Sequence, residues 1–226
     1  MTEAFPFLDP LNSIPGVRAG WIERYPGLPI TGDRDDAMRQ LRPFHEEAVT
    51  DFAGASADWW RAEQVHGTGV AVVPGSPQII APDGMPVVAG TDGLVTASAS
   101  IVLAIYVADC GAIWLADRKT GAIGLLHSGK KGTEGNIFQV ALDTMRENFG
   151  TDPADVTAVL SPCIRVPDYD IEFSAEIGEQ AKRAGVGEYL DCQLNTAADL
   201  RRFYSYRKEM GKTGRMMALI TRDPQP

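Results

Sequence analysis

The chain has 226 residues, 44% of them apolar, and this composition predicts one globular domain over residues 1–226. A formal net charge of −9 without a concentrated basic patch argues against nucleic-acid binding. Three cysteines are few and odd in number, which argues against a disulfide framework. The N terminus lacks a signal-peptide pattern. The longest apolar run, residues 101–107, is too short to span a membrane, so we expect a cytoplasmic protein.

The first third of the chain contains one predicted helix, over residues 34–52. Gly32 followed by Asp33 makes a turn-and-cap pattern directly before it. Pro43 falls inside this stretch, and we expect it to kink the helix or split it in two, because proline has no amide hydrogen to donate.

The middle of the chain is predicted to be rich in strands. Apolar runs predict strands at residues 69–73 and 101–107, and the continuous apolar character of the second is typical of a strand buried on both faces. Residues 113–116 and 122–126 form a predicted hairpin, since a polar turn separates two apolar segments.

Helices and strands alternate irregularly in the last part of the chain. Thr133 is suited to cap a helix over residues 133–149, which Gly150 is suited to end. The further elements are a strand at 156–160, helices at 175–184 and 196–202, and a strand at 216–220. Because strands and helices mix without a regular β-α-β order, the pattern predicts an α+β fold.

Two histidines and one cysteine are the candidate chemical groups. Cys110 and His127 each follow an apolar strand, and His66 lies in a loop. Imidazole nitrogen and thiolate sulfur are suitable zinc ligands, and three protein ligands leave a fourth position open for catalysis. Residue types alone leave two alternatives: a cysteine nucleophile activated by histidine, or a buried structural cysteine with two unrelated histidines.

Seven short motifs carry a resemblance that covers about residues 17–220. In chain order they are Gln64-Val65-His66-Gly67, Thr91-Asp92-Gly93-Leu94-Val95-Thr96, Ala108-Asp109-Cys110, His127-Ser128-Gly129, Ser161-Pro162-Cys163-Ile164, Phe203-Tyr204-Ser205-Tyr206-Arg207 and Gly211-Lys212-Thr213-Gly214-Arg215-Met216. With them the chain resembles the laccase-domain or YfiH-like family, long labelled polyphenol oxidoreductase and now regarded as purine nucleoside phosphorylases.

The resemblance implies mixed β-sheet layers flanked by helices. It also implies a zinc site at His66, Cys110 and His127, which would serve as both the metal ligands and the catalytic residues. The activities it implies are phosphorolysis of adenosine, inosine and methylthioadenosine, together with adenosine deamination.

The sequence departs from the family pattern beside the third ligand. Where the family has HAGWRG this chain has HSGKKG, so that Lys130 and Lys131 replace tryptophan and arginine. Lys131 is a candidate phosphate ligand at the start of the predicted helix, and the alternative is a solvated turn. Arg24 matches an arginine of the family and is a second candidate for phosphate or substrate binding, with an ordinary surface arginine as the alternative.

Other polar residues near these motifs have more modest predicted roles. Asp92 is suited either to form a turn or to orient a ligand histidine, and Asp109 to support Cys110. Cys163 is expected in the core or the pocket wall and Cys192 to be inert. His45, beside two glutamates, is expected at the surface.

The leading functional hypothesis is a zinc-dependent purine nucleoside phosphorylase whose partners are a nucleoside and phosphate, with no nucleic acid and no membrane. One alternative is a copper-dependent polyphenol oxidase, since copper also accepts imidazole and thiolate; a single His–Cys–His set is too small for a multi-copper cluster. The other alternative is a non-catalytic metal-binding protein, motivated by the HSGKKG change. The oligomeric state cannot be predicted.

Overall fold

The computed structural model describes residues 5–223. The α-helices are α1 (Asp9–Asn12), α2 (Arg34–Ala53), α3 (Lys130–Glu134), α4 (Ile137–Phe149) and α5 (Phe173–Arg183). The strands are β1 (Val17–Ile22), β2 (Asp58–Arg61), β3 (Val70–Val72), β4 (Gln78–Ile80), β5 (Pro86–Val88), β6 (Gly93–Thr96), β7 (Ile101–Val107), β8 (Gly111–Asp117), β9 (Ile123–Ser128), β10 (Val156–Leu160), β11 (Glu188–Asp191) and β12 (Met216–Arg222).

The strands form two main sheets of mixed direction. A four-stranded sheet has the order β1-β12-β7-β2, and a six-stranded sheet has the order β11-β10-β8-β9-β6-β3. Within them β2–β7, β3–β6 and β10–β11 pair in parallel, whereas the other neighbours are antiparallel. Strands β4 and β5 form a separate hairpin. The mixed sheets with helices confirm the α+β prediction.

The two sheets pack face to face and helices cover their outer sides. Trp21 and Leu103 of the four-stranded sheet share one apolar cluster with Trp114 of the six-stranded sheet. The Trp114 indole also donates a 2.8 Å hydrogen bond to the Leu219 carbonyl in β12. Helices α4 and α5 cover the other face of the six-stranded sheet, and α2 covers that of the four-stranded sheet. The order of layers is therefore helix, sheet, sheet, helix.

The strand predictions in the middle of the chain are largely confirmed. Strand β7 has the predicted bounds and is buried along its whole length, as its continuous apolar sequence predicts. The hairpin is formed by β8 and β9, with Ala116 opposite Ile123. Strand β10 also has the predicted bounds, β12 is longer than predicted and β3 is shorter.

The predicted helix over residues 133–149 is wrong at its start. Thr133 lies inside α3 and does not cap a helix; α4 begins only at Ile137. Between them Asn136 takes a left-handed conformation with φ of 56°, and its side chain accepts a 3.1 Å hydrogen bond from the Gln139 amide. Asparagine tolerates that conformation and caps helices well, so the break is local in origin.

Helix α2 is capped by Asp33 as predicted, but Pro43 does not split it. Pro43 lies on the exposed side of the helix, so water can satisfy the carbonyl that the missing amide leaves free. The opposite side of α2, which includes Met38 and Val49, is buried against the sheet and holds the helix together across the proline.

Two further predictions are wrong because tertiary contacts override local pattern. Residues 196–202 form turns and no helix; the Thr196 hydroxyl is held by Asp109, 2.7 Å away, and its amide by the Cys163 carbonyl. His45 is 1% exposed and packs against Tyr106 under α2, with ring centroids 5.0 Å apart. Burial lowers the pKa of His45 to about 3.

Across residues 5–223, no helix is both long enough and apolar enough to cross a membrane.

Candidate metal centre and cavity

Three predicted ligand residues meet at one end of the sheets. Donor atoms of His66, Cys110 and His127 all lie within 4.8 Å of one another. His66 comes from the loop between β2 and β3, Cys110 from the tight connection between β7 and β8, and His127 from β9, where it pairs with Ala112. Fold topology thus joins residues that are far apart in sequence.

The donor set fits a zinc ion. Ligand distances of about 2.0–2.3 Å in a tetrahedron place neighbouring donors about 3.3–3.7 Å apart, so small side-chain movements close the triangle. The rings of His66 and His127 are 4.8 Å apart and nearly perpendicular, which lets each turn a nitrogen toward a shared point without stacking. Three ligands leave the fourth position open, as in catalytic zinc sites.

The Asp92 carboxylate orients two of these ligands. One oxygen accepts a 2.8 Å hydrogen bond from Nδ1 of His127 and a 2.9 Å bond from the His66 amide. The other accepts a 2.7 Å bond from the Gly67 amide. Because Nδ1 of His127 carries the proton toward Asp92, Nε2 is free to bind a metal. Asp92 therefore has the orienting role that was one of its two predicted roles.

The electrostatics of the group favour a thiolate. Burial alone would raise the pKa of the Cys110 thiol, but the charge of His127 and hydrogen bonds from both histidines outweigh it, and the net pKa is lowered. Burial would likewise lower the pKa of His127, but Cys110 and Asp92 outweigh it and raise that pKa. Thiolate is the form in which cysteine binds metals, whereas the protonated His127 must release a proton before its ring can bind one.

A glutamine without a predicted role, Gln64, fixes the His66 loop. The Gln64 side-chain amide donates to the Tyr106 carbonyl at 2.6 Å and accepts from the Tyr106 amide at 2.9 Å. Gln64 and His66 both have φ of 62°, a conformation that needs such support in residues other than glycine. The sequence offers a clue to this role, because Gln64 is the first residue of the motif that contains His66.

A cavity of about 890 Å³ opens over the three donors. Tyr169, Phe173 and Tyr206 give its wall aromatic surface. Five lining residues are cationic, namely Arg34, Lys130, Lys131, Arg207 and Arg215. The single carboxylate in the lining is that of Asp109. An acidic protein therefore has a cationic cavity beside its candidate metal centre.

The two predicted phosphate-binding residues have different surroundings. Lys131 lines the cavity and is exposed, but it lies within α3, a helix of five residues, and not before a long helix. Arg24 is outside the cavity lining. Its guanidinium lies 2.6 Å from Glu209 and 4.6 Å from the Tyr204 ring centroid, and donates to two main-chain carbonyls. The structure thus brings Lys131 to the site and leaves Arg24 away from it.

Asp109 supports the cavity wall through its neighbours. Its side chain accepts a 2.7 Å bond from the Thr196 hydroxyl and another 2.7 Å bond from the Arg207 amide, and its carbonyl accepts from Ile164. Because these contacts occupy both carboxylate oxygens, Asp109 joins three segments beside Cys110. Its φ of 82° turns the chain sharply between β7 and β8.

The other two cysteines lie away from the metal centre. Cys163 is fully buried in the cluster between the six-stranded sheet and its helices, and burial raises the pKa of its thiol. Burial also raises the pKa of Cys192 to about 11. Thiols with raised pKa values carry little thiolate at neutral pH and are poor nucleophiles.

Arg215 is the cavity residue with the least obvious partner. It immediately precedes β12, whose first residue, Met216, pairs with Val107 at the Cys110 end of β7. It is 9% exposed, and its Nη1 donates to the carbonyls of Thr213 and Gly214 at 2.9 Å each. Burial and the charge of Arg34 lower the pKa of Arg215 to about 10. Arg215 lies in one of the seven motifs, which by itself predicts no role for this residue.

Comparisons with known proteins identify a family and several relatives of this chain. The sequence profile of the family described as multi-copper polyphenol oxidoreductase laccase matches residues 22–179 and 168–223. A protein of Deinococcus radiodurans named purine nucleoside phosphorylase is 33% identical, over 90% of this chain and 86% of its own length. Purine nucleoside phosphorylase YlmD of Geobacillus stearothermophilus is 29% identical, over 87% of this chain and 82% of its own length.

A solved structure shares the fold. The crystal structure of the hypothetical protein YfiH of Bacillus licheniformis superposes with a TM-score of 0.77 at 25% identity, covering 92% of this chain and 93% of that chain. Matched motifs, a profile over most of the chain and a common fold agree. The chain therefore belongs to the multi-copper polyphenol oxidoreductase laccase family, also called the YfiH-like family.

Proposed function

We propose that this chain is a zinc-dependent purine nucleoside phosphorylase that acts on adenosine, inosine or methylthioadenosine, with adenosine deamination as a second activity. The observation that carries the proposal is the convergence of His66, Cys110 and His127 beneath a cationic cavity. The names of the relatives from Deinococcus and Geobacillus support the same reaction.

The cavity suits the two substrates of phosphorolysis. Its volume of about 890 Å³ lies within the range of about 300–1,000 Å³ that is usual for small-molecule sites. The rings of Tyr169, Phe173 and Tyr206 offer apolar surface against which a purine can pack. The cationic side chains, among them Lys131, attract the phosphate.

Phosphorolysis exchanges one bond at the anomeric carbon for another. A phosphate oxygen forms the bond to C1′ of the ribose, the C1′–N9 bond breaks, and the purine leaves with the electron pair and takes up a proton. A zinc ion held by the three donors would supply Lewis-acid stabilisation of developing negative charge. The chain itself orients the site through Asp92 and holds both substrates in one cavity, which lowers the entropic cost of their encounter.

The small number of potential metal-binding side chains argues against multi-copper chemistry. The chain has three histidines, and one of them, His45, is buried under α2 against Tyr106. Within residues 5–223, the described side chains form one group of three or more potential metal ligands. Two imidazoles and one thiolate are enough for one ion but not for a cluster.

The test joins metal analysis to product identification. The purified protein is analysed for zinc and copper, then incubated with adenosine or inosine and inorganic phosphate, and the free base and ribose 1-phosphate are quantified. We expect stoichiometric zinc and formation of both products. His66→Ala and Cys110→Ser should remove turnover and lower the zinc content, whereas Cys192→Ser, the same chemical change at a half-buried thiol outside the centre, should preserve both.

Three results would contradict the proposal. Bound zinc with no turnover of any nucleoside would identify a non-catalytic metal-binding protein. Stoichiometric copper with oxidation of phenols would identify a polyphenol oxidase. Phosphorolysis that survives in both His66→Ala and Cys110→Ser would place the chemistry elsewhere in the chain.

A further inference from the structure

Arg215 is a buried cation that forms no ion pair with a carboxylate among residues 5–223, although the charge of Cys110 acts on it. It is 9% exposed, and among residues 5–223 no carboxylate lies within 4.0 Å of its guanidinium. Moving a charged group out of water costs several kcal/mol unless an opposite charge and hydrogen bonds compensate for it. The described residues give Nη1 two carbonyl partners and leave Nε and Nη2 without an acceptor.

Arg61, the other buried arginine among residues 5–223, shows how a buried guanidinium is usually neutralised. Arg61 is 5% exposed and lies 2.5 Å from a carboxylate oxygen of Asp83, so its charge is neutralised inside the protein. Arg215 differs because it lines the cavity, where its free donors can reach a ligand. The missing partner is therefore expected to arrive from solution.

The position of Arg215 selects the kind of ligand. Arg34 lines the same cavity, is exposed, and among residues 5–223 has one hydrogen bond, to the Glu63 carbonyl, and no carboxylate within 4.0 Å. The Asp109 carboxylate in the lining is already occupied by the Thr196 hydroxyl and the Arg207 amide. A planar guanidinium presents two parallel donors that match the oxygens of a phosphate.

We infer that Arg215, assisted by Arg34, forms the binding seat for inorganic phosphate in this cavity. The inference rests on the proposed phosphorolysis and deepens it, because it assigns the second substrate to particular side chains. It places the phosphate at the Cys110 end of β7, where β12 begins, and not at Arg24. Lys131 and Arg34 are both exposed, but it is the charge of Arg34 that acts on Arg215, so Lys131 contributes to the general cationic field.

The experiment measures phosphate binding without turnover. Calorimetric titration of the zinc-loaded protein with inorganic phosphate is compared among wild type, Arg215→Gln, Arg215→Lys and the control Lys182→Gln. The control removes the same charge at an exposed position outside the cavity lining. We expect Arg215→Gln to weaken phosphate binding about tenfold or more, the loss of one charge-assisted hydrogen bond. The phosphate affinity of Arg215→Lys should lie between those of the wild type and Arg215→Gln, and that of Lys182→Gln should equal the wild-type value.

Kinetics separate the seat from the rest of the site. In turnover, Arg215→Lys should raise the KM for phosphate while the KM for the nucleoside stays within about twofold of the wild-type value. A folded Arg215→Gln protein with wild-type phosphate affinity would overturn the inference. If Arg215→Gln does not fold, circular dichroism will show it, and unchanged phosphate affinity of Arg215→Lys then overturns the inference instead.

Two further outcomes distinguish this inference from the proposed function. Phosphate binding that depends on Arg215 in a protein that cleaves no nucleoside would contradict the proposed function and support the seat. Phosphorolysis with an unchanged KM for phosphate in Arg215→Lys would support the proposed function and contradict the inference about Arg215. Binding of adenosine 5′-monophosphate, but not of inorganic phosphate, would assign the seat to a phosphorylated ligand and overturn the inference.

Discussion

A single buried carboxylate determines the geometry of the candidate metal centre. Asp92 is fully buried, yet its charge is compensated because it accepts hydrogen bonds from Nδ1 of His127 and from the amides of His66 and Gly67. It thereby fixes the ring of one ligand and the backbone of another. Its own backbone is anchored too, since its carbonyl accepts from the His127 amide at 2.7 Å.

Replacing Asp92 by asparagine should therefore weaken metal binding strongly. An amide side chain has one acceptor oxygen, so its NH₂ group would face an N–H donor and the His127 ring would lose its charged partner. We expect zinc affinity to fall about 10- to 100-fold. Competition with a chelator of known affinity measures it, and Asp143→Asn, at an exposed ion pair, serves as the control. Unchanged affinity in Asp92→Asn would refute the orienting role.

The sequence predicts the candidate donor group, whose atoms the structure brings within 4.8 Å of one another, better than its surroundings. His66, Cys110 and His127 could be identified because each has donor chemistry and lies in a short motif. The burial of His45 could not, because its neighbours Glu46 and Glu47 suggested a surface and only the packing of α2 on Tyr106 decides otherwise. The ion pair of Arg24 with Glu209 could not be predicted either, because the two residues are far apart in the sequence.

At the scale of elements, the connection from β9 to α3 is shaped by the thiol beside it. A Cβ atom added to Gly129 would lie 2.6 Å from Cys110 Sγ, well inside van der Waals contact. The φ of Gly129, −109°, is one that any residue can adopt, so glycine is needed there for space and not for backbone freedom. The turn can pass over the candidate metal centre only because this position has no side chain.

Gly129→Ala should displace the thiol without unfolding the protein. We expect lower metal affinity and turnover, with the midpoint of thermal unfolding of the metal-free protein within a few degrees of wild type. Gly132→Ala is the matched control, because its added Cβ meets no atom closer than 3.4 Å and alanine favours a helix. Equal metal affinity in the two variants would show that Cys110 Sγ is not constrained by this turn.

The elements that the sequence predicts well are those with strong local signals. Strands β7 and β10 are continuous apolar runs, and Asp33 caps α2 with a bond to the Asp35 amide and another to the Asp36 amide. Prediction fails where a polar tertiary contact decides the backbone. Residues 196–202 have helix-compatible composition, yet the contact of Thr196 with Asp109 across 87 positions holds that segment in turns.

Across the whole molecule, the site lies at the edge of a four-layer arrangement whose outer layers are helices. Helix α2 covers the sheet that carries β7, and its buried face brings His45 against Tyr106 and into a hydrogen bond with the Arg215 backbone. Because Nε2 of His45 has no partner among the described residues, a proton added there would be a buried and uncompensated charge. The packing of this layer therefore depends on a neutral imidazole.

The resulting pH dependence has a defined sign. The pKa of His45 is about 3 in the folded protein and about 6.5 in an unfolded chain, so the unfolded state takes up the proton first as the pH falls. The stability that this group contributes is complete above pH 6.5 and declines below it. Between pH 7 and pH 5 the wild type should lose about 2 kcal/mol more unfolding free energy than His45→Gln.

Urea denaturation at the two pH values tests this prediction. The difference between the two proteins isolates His45, because the other titrating groups are common to both. Parallel loss of unfolding free energy in wild type and His45→Gln would show that the buried imidazole does not govern the acid sensitivity. A larger loss in the variant would reverse the predicted sign.

The cationic cavity within an acidic chain has a kinetic consequence. At long range an approaching anion meets the field of a protein with a net charge of −9, whereas close to the cavity it meets Arg34, Arg207 and Arg215. Salt screens the two fields unequally, because the Debye length at physiological ionic strength is about 8 Å and the buried charge of Arg215 is screened less than the exposed charges, which include Arg34 and Arg207. Moderate salt should thus speed the arrival of an anionic substrate while it only slightly shortens the time that the substrate stays bound.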